Sequence, residues 1–187
     1  MSPDHQGPPV SGGWPLTFIR RFGDFMFHKL LHTPDDHTLT LLRVGLGVVF
    51  FAHGAQKMLG WFGGNGYPPT VNYFAHMGIP EALAVFAIFA EFFGGIGLFF
   101  GLFSRIAAFG LAVEMLVAVY LVHFANGFFM NWSGAQRGEG FEFHILALCM
   151  LFTVMVRGAG AWSLDHLIDR NSRYHVAPVY YNPQPTT

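Results

Sequence analysis

The stretch Leu39–Leu59, LTLLRVGLGVVFFAHGAQKML, decides the fold. Its length matches the roughly 20 apolar residues that cross a hydrocarbon layer about 30 Å thick. Yet it carries Arg43, His53 and Lys57. A charged side chain facing lipid is costly unless it finds a partner, a cavity or a task. Advancing about 100° per residue from Arg43 places Lys57 at about −40° and His53 at about −80°. The three share an arc of about 80°, which is predicted to face the interior of a helix bundle. Gly47 and Gly54 border that arc and let a second helix approach closely.

Working outward, three further stretches read as spans: Glu81–Phe103, opened by Pro80 at a position suited to a helix start, then Arg105–Phe124, then Glu142–Trp162. Arg157 interrupts the last of these near its end and is expected to snorkel to the headgroups. Composition agrees. The 187 residues are 52% hydrophobic and 11% charged, with mean hydropathy +0.40, against about 25% charged residues in a soluble globular protein. With Lys+Arg 10 and Asp+Glu 11 there is no basic field for nucleic acid. One cysteine, Cys149, excludes an intramolecular disulfide framework, a four-thiolate zinc site and two-thiol exchange within the chain. It is expected as a small core residue.

The predicted fold is all-α: a four-transmembrane-helix bundle over residues 39–165 with an N-terminal interfacial amphipathic helix over residues 14–31. In that helix Leu16, Phe18, Ile19, Phe22, Phe25, Met26 and Leu30 recur at helical spacing among Arg20, Arg21, Asp24 and His28. A soluble docking helix is the rival reading. Residues 1–13 and 171–187 are expected to be disordered. Four spans put both termini and the Ser104–Arg105 turn on one side, with eight basic residues against Lys57 and Arg137 on the other. That bias predicts cytoplasmic termini. No cleavable signal peptide is expected ahead of the first span. The outward loops, Gly60–Ile79 and Ala125–Phe141, are rich in aromatics and turn residues, suited to a membrane boundary or to the roof of a pocket.

Glu91 and Glu114 sit near the middle of the second and third spans, where Arg43 reaches one or both. Gly97 and Gly101 form a GxxxG pair, a surface for helix–helix association and hence for a homo-oligomer. The outward end gathers His53, Lys57, His123, Glu142 and His144, with His76 above. Histidines and a carboxylate are ligands for a metal, and two histidines for haem. Spacing argues against both. Glu142 and His144 lie about 200° apart on a helix, and Glu114 and His123 about 180°. A neutral-ligand pocket on His53 and Lys57 is preferred.

The blocks LLRVGLGVVFFAHGAQKMLGWFGG, AEFFGGIGLFFGLFSRIAA, MLVAVYLVHFANGFF and GEGFEFHILAL together resemble the DoxX family of small four-helix membrane proteins. The resemblance covers Leu39 to Asp165. Arg, HGxxK and WFGG in fixed order are its most specific part, and Glu114 stands where the family pattern is apolar. The resemblance implies a membrane subunit linked to quinone chemistry: the family is named for a quinol-oxidase-associated subunit, and relatives resemble the membrane part of thiosulfate:quinone oxidoreductases or belong to oxidative-stress complexes. By that analogy Arg43, His53, Lys57, Glu91, Glu142 and His144 line a shared polar face.

The expected function is thus a membrane subunit or accessory of a quinone-linked redox system. Quinone would be the cofactor, and a membrane or soluble redox partner would supply electrons, since the chain has no motif for storing them. Two rivals stand beside it: a non-enzymatic membrane scaffold for a soluble partner, and a His-based carrier of a metal or small solute.

Overall fold

A computed structural model describes residues 23 and 25–174. The expected disordered residues 1–13, most of the expected amphipathic helix and the tail beyond residue 174 lie outside the described residues. The chain divides into two units, Met1–Leu30 and Leu31–Thr187. In the first, residues 25–30 are helical and Phe25, Met26 and Phe27 are exposed.

The second unit is helical throughout its regular structure, with no strand among the described residues. Helix α1, His37–Leu59, starts where the Asp36 carboxylate accepts from the backbone N–H of Thr38 (2.8 Å) and Leu39 (3.2 Å) and ends at left-handed Gly60. Helix α2, Tyr67–His76, lies within the stretch read from sequence as a loop. Helix α3, Glu81–Phe100, begins after Pro80 and closes on left-handed Gly101. Helix α4, Ser104–Ala118, continues through a wider i→i+5 turn at Val119–His123 and a tight 3₁₀ turn at Phe124–Asn126. Helix α5, Glu142–Arg157, and helix α6, Leu164–Tyr174, complete the chain. Residues 171–174 are therefore helical, where a disordered tail was expected.

Among the described residues, three segments are long and apolar enough to cross a membrane: His37–Leu59, Glu81–Phe100 and Ser104–Asn126. The expected fourth span ends early. Its helix stops at Arg157, because Gly158 adopts φ 93°, ψ −160°. With 16 residues it rises about 24 Å.

Helices α1 and α3 meet backbone to backbone. A Cβ on Gly47 would fall 2.5 Å from the Phe99 nitrogen, one on Gly54 2.3 Å from that of Phe92, and one on Gly95 2.4 Å from that of Phe51. The close approach expected at Gly47 and Gly54 is thus present. The GxxxG pair is used otherwise: Gly97 faces the Leu102 carbonyl and Ala107, while Gly101 caps α3 against Ser163 and Arg43. On the other side of the bundle Leu46, Phe50, Leu98, Leu111, Met115, Leu151 and Val154 form the apolar core. Cys149, expected within it, is exposed on α5.

The helices run antiparallel in sequence order. One end of the bundle carries residues 32–36, 101–104 and 158–163 (the terminal end). The other carries the connections 60–80 and 127–141 (the loop end).

Candidate functional site

Arg43 anchors the terminal end and does not meet either glutamate. It is 1% exposed. Its Nε donates to the Ala159 carbonyl (2.9 Å), Nη1 to the carbonyls of Leu98 and Phe99 (2.6 Å to the latter) and Nη2 to that of Trp162 (2.7 Å). The carbonyls of Leu98 and Phe99 are freed where α3 ends, and those of Ala159 and Trp162 lie in the irregular segment after α5. A guanidinium forks to several acceptors at once, which an ion pair with one carboxylate would not require.

Asp165 completes this end, accepting from the backbone N–H of Phe103 (2.7 Å) and Ser104 (2.9 Å). Phe103 holds the left-handed conformation at φ 48°, unusual for a bulky residue. The carboxylate ties down that turn. Burial pushes the Asp165 carboxyl above its ordinary range, against the opposing pull of the two N–H donors and the Arg43 charge. Thr33 and Thr40 hydroxyls accept from the backbone N–H of Gly160 (2.6 Å) and Trp162 (3.3 Å). Residues 158–163 are thereby paired, though not helical.

The loop end is built differently. A cavity of about 580 Å³ lies between α1, α3, α4 and α5, under α2. Most of its wall is apolar, including Phe50, Phe74, Phe86, Met115 and Phe143. Into it project Lys57, Glu91, Glu114, His123 and His144, with His53 at its rim. Lys57 Nζ donates to Glu91 Oε2 in a close ion pair. Glu114 lies within electrostatic reach of both members. Glu114 is 6% exposed and its Oε2 has no hydrogen-bond partner. His144 is likewise 6% exposed, and its Nδ1 is unpartnered. Its ring lies 4.2 Å, centroid to centroid, from that of His123, whose Nδ1 is 2.9 Å from the Glu139 carbonyl. An N–H at that position donates to the carbonyl, leaving Nε2 of His123 for other partners.

Of the residues expected to line one polar face, His53, Lys57, Glu91 and His144 border this cavity. Arg43 and Glu142 do not. Glu142 turns away, as its 200° offset from His144 requires, and accepts from the Met130 backbone N–H (2.9 Å) and Trp132 Nε1 (3.4 Å) in the 127–141 connection. Glu114 and His123, expected on opposite sides of their helix, both border the cavity. The wider turn at Val119–His123 advances less per residue than an α-helix and shifts the phase between them. Glu114, read from sequence as a partner for Arg43 and not as a member of the polar face, borders the cavity. Its signal was a carboxylate in mid-span, the same signal that singled out Glu91.

Among the described residues no three His, Cys, Asp or Glu side chains are placed to share a metal ion. The polar groups here suit hydrogen bonding and proton exchange with a largely apolar molecule, since the ionisable groups converge on one part of an otherwise hydrocarbon surface.

Comparison with known proteins agrees with the spans. The DoxX family model matches residues 38–124. The chain is 35% identical over 133 residues to an uncharacterized protein of Haemophilus influenzae, covering 68% of this chain and 88% of that one. It is 32% identical over 136 residues to Escherichia coli "Inner membrane protein YqjF", covering 73% and 95%. It is 29% identical over 133 residues to Bacillus subtilis "Putative oxidoreductase CatD", covering 71% and 88%. No solved structure gives a significant match. With its apolar spans, its inward-turned Lys57–Glu91 pair and these relatives, the chain is a membrane protein that belongs to the DoxX family.

Proposed function

We propose that the chain is the quinone-binding membrane subunit of a redox system. The observation that carries this reading is the 580 Å³ cavity, apolar over most of its wall, with Lys57, Glu91 and Glu114 grouped along it. Ligand pockets of about 300–1,000 Å³ with few polar groups are typical for molecules the size of a quinone headgroup. Lys57 or His53 donates a hydrogen bond to one quinone carbonyl, and Phe74, Phe86 and Phe143 flank the ring. Reduction of the quinone takes two electrons and two protons. Glu91 relays a proton, and the electrons come from a partner protein. The name of the Bacillus subtilis relative is in keeping with redox chemistry.

The membrane placement belongs to the same proposal. Helix α5 makes the fourth crossing together with residues 158–163. Non-helical backbone is tolerated at membrane depth when protein groups satisfy it, as Arg43, Thr33 and Thr40 do here. The bias of basic residues puts both termini in the cytoplasm of a bacterial cell and the cavity in the outer half of the inner membrane.

The test is quinone binding by the purified full-length protein in lipid nanodiscs, with menadione as probe. Lys57→Met should weaken binding by about tenfold or more, the worth of a charge-assisted hydrogen bond. His53→Ala should weaken it less, since His53 stands at the rim. Absent or indistinguishable binding in the wild type and both variants would eliminate the quinone pocket.

A further inference from the structure

Lys57 borders two spaces. With Tyr73 and Phe74 it stands between the apolar cavity and a second, more open cleft of about 300 Å³ at the loop end. The two are chemically unlike. The cleft is walled by Gln56, Thr70 and the Gly63–Asn65 turn, whose amides, carbonyls and hydroxyl suit water. The ion pair straddles the boundary: the Lys57 side chain is 26% exposed and that of Glu91 5%. An ammonium reached by water on one side thus holds a carboxylate enclosed on the other. Beyond Glu91 lies Glu114, whose Oε2 is buried and unpartnered.

We propose that this cleft is the proton inlet of the cavity and that Lys57 carries the proton across the partition. An N–H bond of the ammonium breaks as an O–H bond forms on Glu91. The neutral amine then takes a proton from a hydronium ion of the bulk solvent, relayed through water in the cleft, and the ammonium is restored. Lysine suits this step because an amine can pass on one proton and take up another, whereas a guanidinium stays protonated. On the His side of the cavity, Nδ1 of His123 is committed to the Glu139 carbonyl. The use of the proton rests on the quinone reading. The inlet itself does not.

The experiment has two arms. The chain contains two lysines, Lys29 and Lys57. Full-length protein in nanodiscs is treated with a sulfonated N-hydroxysuccinimide ester, and acylation is mapped by peptide mass spectrometry, with Lys29 as internal standard. Lys57 should be acylated in the wild type, and faster in Glu91→Gln, which frees the amine. A Lys57 refractory in both proteins would overturn the inlet. In the second arm, bound menadione is reduced at an electrode. Lys57→Arg keeps the ion pair but not the transferable proton, so at equal menadione occupancy the proton-coupled reduction rate should fall by about a hundredfold. A Lys57→Arg rate equal to the wild type would assign Lys57 a purely structural role and sink the relay. If menadione binds no protein at all, the quinone reading fails and the acylation arm alone decides the inlet.

Discussion

Arg43 and Lys57 lie on the same face of the same helix, fourteen residues apart, and meet opposite fates. At the terminal end, Arg43 is enclosed by four backbone carbonyls, and Asp165 is held by two backbone N–H groups. Arg43 and Asp165 both bind backbone that the fold needs in place, so the pair behaves as a fastening, although Ser104 Oγ and His166 Nδ1 beside it have no partner. At the loop end, Lys57 and Glu91 pair beside a cavity in which Glu114 Oε2 and His144 Nδ1 have no partner. Burying polar atoms without partners costs about 1–3 kcal/mol each, which a bound molecule would recover. An ionisable residue in a membrane helix is therefore not a functional signal until its partners are known.

This contrast is open to direct attack. Arg43→Met should produce the largest effect, a loss of about 3–5 kcal/mol, because it strands the carbonyls that the guanidinium joins. Thermal unfolding in detergent measures it, and Arg43→Lys should rescue little, since an ammonium lacks the planar fork. If Arg43→Met unfolded at the wild-type temperature, the fastening would be no such thing.

Smaller, and informative about the loop end, is Gly54→Leu. Its side chain would drive into the backbone at Phe92, separating α1 from α3 where Lys57 meets Glu91. Overpacking of this kind costs about 1–3 kcal/mol, and menadione affinity should drop with it. Gly45→Ala is the control, because its Cβ meets nothing within 4 Å. That change should stabilise the helix by up to about 1 kcal/mol.

The smallest effect is one of pH. Burial raises the Asp165 carboxyl above its ordinary range, so the folded protein holds this proton more tightly than the unfolded chain. Stability should then fall as pH rises from the ordinary aspartate value toward the raised one. In Asp165→Asn that part of the slope should vanish, although the amide oxygen still accepts one N–H. A parallel slope in the variant, from unfolding midpoints at stepped pH, would assign the titration elsewhere.

Much of the frame was legible before any coordinates. Apolar length located α1, α3 and α4 to within a few residues at each end, and the 3.6-residue period turned Lys57 inward and set Glu142 against His144. The period failed where the helix departed from it: at Val119–His123 the wider turn brings His123 to the same cavity as Glu114. In YPPTVNYFAH the prolines stand in the first turn of α2, where they suit a helix start, but beside Asn and Gly in an aromatic-rich stretch they read as turn chemistry. The family match covers the first three apolar segments, and the short α5 carries the weakest span signal of the four.

Hydropathy and helical phase act over a turn or two, and they were enough to say that this chain enters a membrane as helices with charges facing one another. They could not say which charges meet. Arg43 finds acceptors 55 to 119 positions away, and Lys57 its carboxylate 34 positions away. Arginine meets the freed carbonyls because the close glycine contacts of α1 and α3 and the early end of α5 bring them within reach, while both glutamates lie toward the other end of the bundle. Those contacts are made between distant parts of the chain, and they assign one cation to the frame and leave the other beside an open cavity.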